Sequence, residues 1–320
     1  MSEIYSEIIG TGSYLPEKIL TNDDLSKMVD TSDEWIFTRT GIKERHIAND
    51  NEFTSDLAEK AVKNALTSAN IKEEDVDLLI VATITPDLVF PSTACIVQKK
   101  LGLKNAVAFD IQAACSGFVY GLTMADAMIK AGTYKTVVVV GVETLSRIMD
   151  WNDRTTCVLF GDGAGAAVLR ATNEKTGILS YSIKSDGDYI DILKATGGPS
   201  STKSSGCILM EGKDVFKLAV ARMPEISEEV IKKAGATMND VDCFIPHQAN
   251  VRIIDAALKN LSIPEEKVVK TIETHGNISS ACIPLALDIA VKNGQIKKGN
   301  NVLLTAMGAG FTWGAVYLKF

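Results

Sequence analysis

A weak internal repeat constrains this chain more than any other feature. The segment ANIKEEDVDLLIVAT (69–83) resembles GATMNDVDCFIPH (235–247), which sets Asp75, Val76, Asp77 and Ile80 on Asp240, Val241, Asp242 and Ile245. A second correspondence joins GDGAGAAVLR (161–170) to FTWGAVYLKF (311–320), each a turn of small residues feeding an apolar run. The two similarities share order and spacing, so the chain reads as two copies of one unit, near 1–172 and 173–320. VDLLIVAT (76–83), TVVVVGVE (136–143) and NVLLTAMG (301–308) have the length and apolar content of buried strands, while 54–69 and 215–233 carry apolar residues at helical spacing. Alternation of the two kinds defines a layered α/β protein. In a doubled α/β unit the cleft between the copies is the natural ligand site, so polar residues of both should converge there.

Composition narrows the function classes. A chain of 320 residues that is 46% hydrophobic has ample material for a core. Its longest apolar runs, such as 137–142 and 302–307, fall far short of the roughly 18 residues a membrane span requires, so no spanning helix is expected. The start, MSEIYSEIIGTGSYLP, carries Glu3 and Glu7 and lacks the basic and apolar regions of a secretory signal, which leads us to expect a cytoplasmic protein. Six scattered cysteines include no CxxC pair, and no histidine stands at metal-ligand spacing; a reducing compartment and no structural metal are expected. A net charge of −7 argues against nucleic acid, and any anionic ligand must meet a local basic patch. TGGPSSTKSSG (196–206) reads as an exposed loop within the second copy.

Three segments carry candidate chemistry. In AFDIQAACSGFVYGLTMADAMIKAG (108–132), Cys115 falls near the start of a helix, where unpaired N–H groups and the helix dipole favour a thiolate and draw the thiol pKa towards neutrality. Small neighbours leave room for a substrate, although an inert buried cysteine fits the local sequence equally. In CFIPHQANVRIIDAALKNL (243–261), His247 follows a strand and heads a helix, as a catalytic group or as a cap. In ETHGNISSACIPLALDIAV (273–291), Asn277 opens a turn that aligns with the Cys115 segment; its amide suits a developing oxyanion, and capping is its ordinary alternative. AMGAGFTWG (306–314) adds a loop of small residues whose backbone can approach a ligand.

These motifs, DIQAACSGF, PHQANVRI, HGNISSACIPLAL, GDGAGAAVL and GAGFTWGA, together with DEWIFTRTGIKERHIA (33–48) and FPSTACIVQKKLG (90–102), resemble the β-ketoacyl-acyl carrier protein synthases III from end to end. The resemblance implies the thiolase fold, five α-β-α-β-α layers from two pseudo-symmetric halves, and a homodimer. It implies condensation of an acyl-CoA primer with malonyl-acyl carrier protein, the CoA thioester being a substrate with no separate cofactor. Cys115 would carry the acyl group, His247 and Asn277 would stabilise the enolate left by decarboxylation, and the N–H groups of Cys115 and Ala309 would form the oxyanion hole. Trp35 and Arg154 would hold the CoA adenine, with Arg39, Thr40, Phe216, Ala249 and Asn250 along the CoA channel. Lys217, Arg252 and Lys259 would form the patch that meets the acidic carrier, and Phe90 and Met307 would bound the primer pocket.

Two departures stand in the terminal loop, where Met307 and Ala309 replace a common Phe and Gly, and Ile278 stands where Thr is usual. Within the fold, the alternatives are a specialised acyltransferase of natural-product synthesis and a 3-hydroxy-3-methylglutaryl-CoA synthase. A degradative thiolase is disfavoured because residues 306–314 contain no second cysteine, and an elongating synthase because Asn277 occupies a histidine position. Outside catalysis, the alternative is a silent acyl-CoA-binding protein.

Overall fold

The computed structural model describes residues 4–320. Strands β1 (Tyr5–Tyr14), β2 (Leu78–Ala82), β3 (Val107–Ile111), β4 (Thr136–Thr144) and β5 (Asp162–Thr172) form one sheet in the order β1-β5-β4-β2-β3. Within it β3, β2 and β4 run parallel, and β5 lies antiparallel between β4 and β1. Strands β6 (Gly177–Ser185), β7 (Cys243–Pro246), β8 (Asn301–Gly308) and β9 (Thr312–Lys319) form the other, ordered β7-β8-β9-β6. Its pairing repeats that of the first: β7 is parallel to β8, and β9 is antiparallel to both β8 and β6. A parallel bridge from Phe244 to Val268 stands where the fifth strand would lie. The two sequence correspondences thus fall on β2 with β7 and on β5 with β9.

There are seven longer helices, of which all but the first fill three layers: α1 (Asp33–Thr40), α2 (Thr54–Ala69), α3 (Thr93–Leu101), α4 (Gly117–Lys130), α5 (Gly212–Lys233), α6 (Val251–Leu261) and α7 (Cys282–Lys292). Helices α4 and α7 lie between the sheets, α2 and α3 cover the outer face of the first, and α5 and α6 that of the second. The helix sequences encode this sorting. Sandwiched α7 buries eight of its eleven residues, so it is apolar nearly all round. Outer helix α6 buries only the stripe Ile253, Ile254, Ala257, Leu258 and Leu261. Pro284 sits in the first turn of α7, where its missing N–H breaks no helical bond. Gly141 on β4 is required by the crossing of the halves, because a Cβ there would run into the carbonyl of Ser280.

The strands expected at 136–143 and 301–308 are observed at Thr136–Thr144 and Asn301–Gly308, and the 76–83 run trims to Leu78–Ala82. The 196–206 stretch caps a short ribbon in which Leu193–Ala195 pairs with Ile208–Met210. Among the described residues, no helix is long and apolar enough to cross a membrane.

Candidate active site

The turns that feed the two central helices are one structure used twice. Residues Ala114–Ser116 and Ser279–Ala281 are both single 3-10 turns, and Ala114 and Ser279 both adopt left-handed backbone, with φ of 45° and 46°. The turns touch each other, so Cys115 of the first half lies near Ser280, its counterpart in the second. Cys115 is 8% exposed at the mouth of α4. Burial pushes its thiol up to about 12, against the lowering influence of the Ser279 hydroxyl and its own N–H. The near-neutral thiol expected from the helix terminus is therefore corrected: in this dry setting desolvation outweighs the terminus, and the resting sulfur is protonated.

Asn277 is fixed from both sides. Its N–H donates to Leu159 at 2.8 Å, its carbonyl accepts from Gly161 at 3.0 Å, and its side-chain Oδ1 accepts from Ser279 N–H at 2.8 Å. With Oδ1 occupied, the group left for a ligand is the Nδ2 donor, which is what a developing negative oxygen requires. His247 follows β7 directly and its N–H donates to Thr305 at 2.8 Å. Helix α6 starts four residues later and its cap is Asn250, so His247 caps nothing. The ring is 1% exposed, its Nδ1 is buried without a partner, and burial holds it down at about 3, a neutral imidazole.

Cys115, His247 and Asn277 line one pocket of about 120 Å³ with Leu159, Val215, Phe216, Ala249, Asn250 and Met307. Met307 brings the end of β8 to its wall. A Cβ on Gly308 would lie 2.6 Å from the Cys115 nitrogen, so the chain passes close to that amide one residue before Ala309. Thr312 ties the loop down, its hydroxyl 3.1 Å from both the Ala113 and Ala309 carbonyls.

The outer residues distribute less evenly. Two guanidinium groups approach the Trp35 ring, Arg39 at 4.5 Å and Arg154 at 5.4 Å from the ring centre. Asn250 donates to the Arg39 carbonyl at 2.9 Å and so joins α6 to α1. Arg252 lies 5.6 Å from the Phe216 ring, and Lys217, Arg252 and Lys259 are exposed on α5 and α6. Thr40 does not offer a side chain to the channel: it is 4% exposed, and its hydroxyl donates to Ile36 at 2.7 Å and accepts from Ile42 at 3.0 Å. Phe90 is 84% exposed and is not among the residues lining this chain's pocket.

Sequence reasoning missed Gln248. Fully buried, it donates to the carbonyls of Pro246 (2.7 Å) and Val269 (3.2 Å) and accepts from the N–H groups of Thr271 (2.9 Å) and Ile272 (3.2 Å). It thereby staples the His247 loop to the stretch that runs into Asn277. Its one signal in the sequence is adjacency to His247. Among the described residues, no group of three or more His, Cys, Asp or Glu is placed to hold a metal ion.

The buried imidazoles set a pH dependence. Burial depresses His247 to about 3 and His275 to about 4, from an ordinary 6.5. Because the unfolded chain binds these protons more readily, stability is complete above pH 6.5 and falls as pH drops towards 4 and 3. Glu143, raised from 4.5 to about 7, opposes this: its contribution is present below 4.5 and is lost as pH rises through about 7. His275→Gln should flatten the acid limb of thermal midpoint against pH; an unchanged limb would reject this assignment.

Two sheets crossed by paired central helices, with a cysteine, a histidine and an asparagine facing one narrow pocket, define a thiolase-fold enzyme of the acyl-transferring, condensing class. Residues 109–187 match the family described as 3-oxoacyl-[acyl-carrier-protein (ACP)] synthase III, and residues 231–320 match its C-terminal family. The β-ketoacyl-[acyl-carrier-protein] synthase III of Thiobacillus denitrificans is 56% identical, with 99% of each chain covered. The crystal structure of the 3-oxoacyl-[acyl-carrier-protein] synthase III of Aquifex aeolicus superimposes with a TM-score of 0.95 at 52% identity, over 98% of this chain and 100% of that one. The priming β-ketosynthase of the R1128 polyketide pathway also reaches 0.95, at 34% identity over 100% of this chain and 97% of its own. The chain belongs to the β-ketoacyl-[acyl-carrier-protein] synthase III family.

Proposed function

We propose that this protein performs the initiating condensation of fatty-acid synthesis, joining an acyl-CoA primer to malonyl-acyl carrier protein to give 3-oxoacyl-acyl carrier protein, CoA and CO2. One observation carries the reading: Cys115, His247 and Asn277 share a single pocket in which the imidazole is neutral and the amide offers its N–H side. The Cys115 sulfur attacks the primer thioester, its proton leaves with the CoA thiol, and the acyl group stays on sulfur. The malonyl thioester then loses CO2. His247 and Asn277 donate to its carbonyl oxygen and stabilise the enolate, a task that needs donors rather than a strong base. The enolate carbon attacks the acyl-Cys115 carbonyl, whose oxyanion is held by the N–H groups of Cys115 and Ala309. As the oxyanion collapses the C–S bond breaks, and the sulfur leaves as a thiolate that takes up one proton from solvent to restore the resting thiol.

The remaining roles follow the same reading. Trp35, Arg39 and Arg154 take the adenine and phosphates of CoA, with Phe216, Ala249 and Asn250 along its arm; Thr40 serves by capping the end of α1 from within. Lys217, Arg252 and Lys259 receive the acidic carrier. The exposed run Leu88, Val89 and Phe90 (52, 74 and 84%) supports a homodimer in which Phe90 bounds the partner's primer pocket beside Met307. The halves 1–172 and 173–320 supply the nucleophile and its two partners respectively. The enzyme works in the cytoplasm with no cofactor beyond its thioester substrates. A priming role in a natural-product pathway is the second reading, raised by the R1128 neighbour; identities of 56% against 34% favour the first.

Incubation with a panel of acyl-CoA primers, followed by intact-protein mass spectrometry, tests the proposal. It should give a gain of one acyl group located on Cys115, ranked by primer. No adduct with any primer would sink it.

A further inference from the structure

A buried carboxyl outside this scheme lies at the crossing of the two halves. Glu143, near the end of β4, is fully buried. Its Oε2 accepts from the Thr83 hydroxyl (3.2 Å), the Ile84 N–H (3.0 Å) and the Thr85 hydroxyl (2.8 Å), all in the turn after β2. Its Oε1 lies 2.9 Å from the hydroxyl of Ser280, the counterpart of Cys115, and that hydroxyl lies 2.9 Å from the Ala82 carbonyl as well. A serine has one proton to give, and a carbonyl only accepts. A carboxylate would leave that proton contested between two acceptors. A neutral acid closes the count: Glu143 Oε1–H donates to Ser280, and Ser280 donates to Ala82.

The surroundings agree with the proton count. The groups that face Glu143 are the Thr83–Thr85 turn, Ser280, and the thiols of Cys115 and Cys282 at the heads of α4 and α7. On the neighbouring strand β5, the Asp162 carboxyl is taken up by the Ala48 N–H (2.8 Å) and the Ser146 N–H (2.9 Å). Among the described residues, no Lys, Arg or His is hydrogen-bonded or ion-paired to Glu143, and burial raises it to about 7. Charge on Glu143 in turn opposes ionisation of Cys115.

We propose that Glu143 is a positioning residue of the condensation, a neutral acid that locks the Ser279–Ala281 turn bearing the Asn277 partner and keeps negative charge away from the Cys115 sulfur as it becomes anionic. It touches no substrate. It acts through Ser280 and through its own lack of charge. The inference rests on Cys115 being the nucleophile.

The test is the pH dependence of Cys115 alkylation by iodoacetamide, followed peptide by peptide because Cys95 is exposed and Cys207 partly so. Glu143→Gln keeps an acceptor for the Thr83–Thr85 turn and a donor for Ser280, and cannot ionise. Its rate should match the wild type at about pH 6 and run about three- to tenfold faster at about pH 8.5, where the wild-type carboxylate holds the thiol pKa up. Superimposable profiles would overturn the proposal. Independently of any variant, infrared spectra of the wild-type enzyme at about pH 6 should show the carbonyl band of a buried protonated carboxyl, in line with the raised value. Absence of that band would also overturn it. Failure of the wild type to form acyl-Cys115 would instead strike the function proposed above, so the two failures are distinguishable.

Discussion

Cys115→Ala should reduce condensation by at least about a thousandfold and abolish the acyl adduct, while the variant still releases CO2 from malonyl-acyl carrier protein. The two halves of the expectation have separate physical origins. Acyl transfer needs a nucleophile that breaks a thioester and forms another of equal energy, and no other pocket-lining residue offers a thiol. Decarboxylation needs only donors at the thioester oxygen, and those are held independently of the sulfur: His247 through Thr305 and the Gln248 staple, Asn277 through Leu159, Gly161 and Ser279. Stability should move little, since the substitution removes one buried sulfur from a lined cavity, a change of about 1 kcal/mol. The assay follows labelled CO2 and 3-oxoacyl product in parallel. Loss of both in a folded variant would show that Cys115 also takes part in decarboxylation and would refute the division of labour drawn here.

Gly308→Ala should slow acylation of Cys115 by about a hundredfold, an effect large for one methyl group. The new Cβ would sit 2.6 Å from the Cys115 nitrogen, 3.1 Å from the Ser116 nitrogen and 3.2 Å from the Cys115 Cα. All three are main-chain atoms, so no side chain can rotate aside, and the loop or the turn must shift. Either shift separates the Cys115 N–H from that of Ala309, the two donors proposed for the oxyanion. Overpacking of this kind costs about 1–3 kcal/mol, which for a chain of this size lowers the thermal midpoint by a few degrees. Stopped-time mass spectrometry of the acyl-enzyme and a thermal melt read the two effects separately. A wild-type acylation rate in Gly308→Ala would show that the loop is not part of the acylation frame.

The parts of this protein that were legible in the sequence are those written in local pattern. Strand β4 carries the apolar run 137–142 and reads as buried; α6 shows its one-sided stripe and α7 is apolar nearly all round. Cys115, His247 and Asn277 stand out because each breaks a structured run at a turn, and the repeat says that those turns come together. The structure brings all three into one pocket. Local pattern failed where a property depends on what another segment contributes. Helix-terminus reasoning lowers the Cys115 pKa, whereas burial against the second half raises it to about 12. The family resemblance sets Thr40 along the CoA channel, yet its hydroxyl is consumed within its own turn. Glu143 and Gln248 look like incidental polar residues at strand ends, and only the packed molecule shows each making four hydrogen bonds.

The division has a simple cause. Periodicity and turn chemistry are properties of residues within a few positions of one another, and the repeat is a property of the sequence alone, so the sequence by itself determined the layered α/β architecture and its doubling and marked Cys115, His247 and Asn277 as candidates. Ionisation state, steric necessity at Gly141 and Gly308, and the pairing of Glu143 with Ser280 arise between residues far apart in the chain. Desolvation and contact depend on which surfaces meet, and that was decided only when the two halves closed on each other.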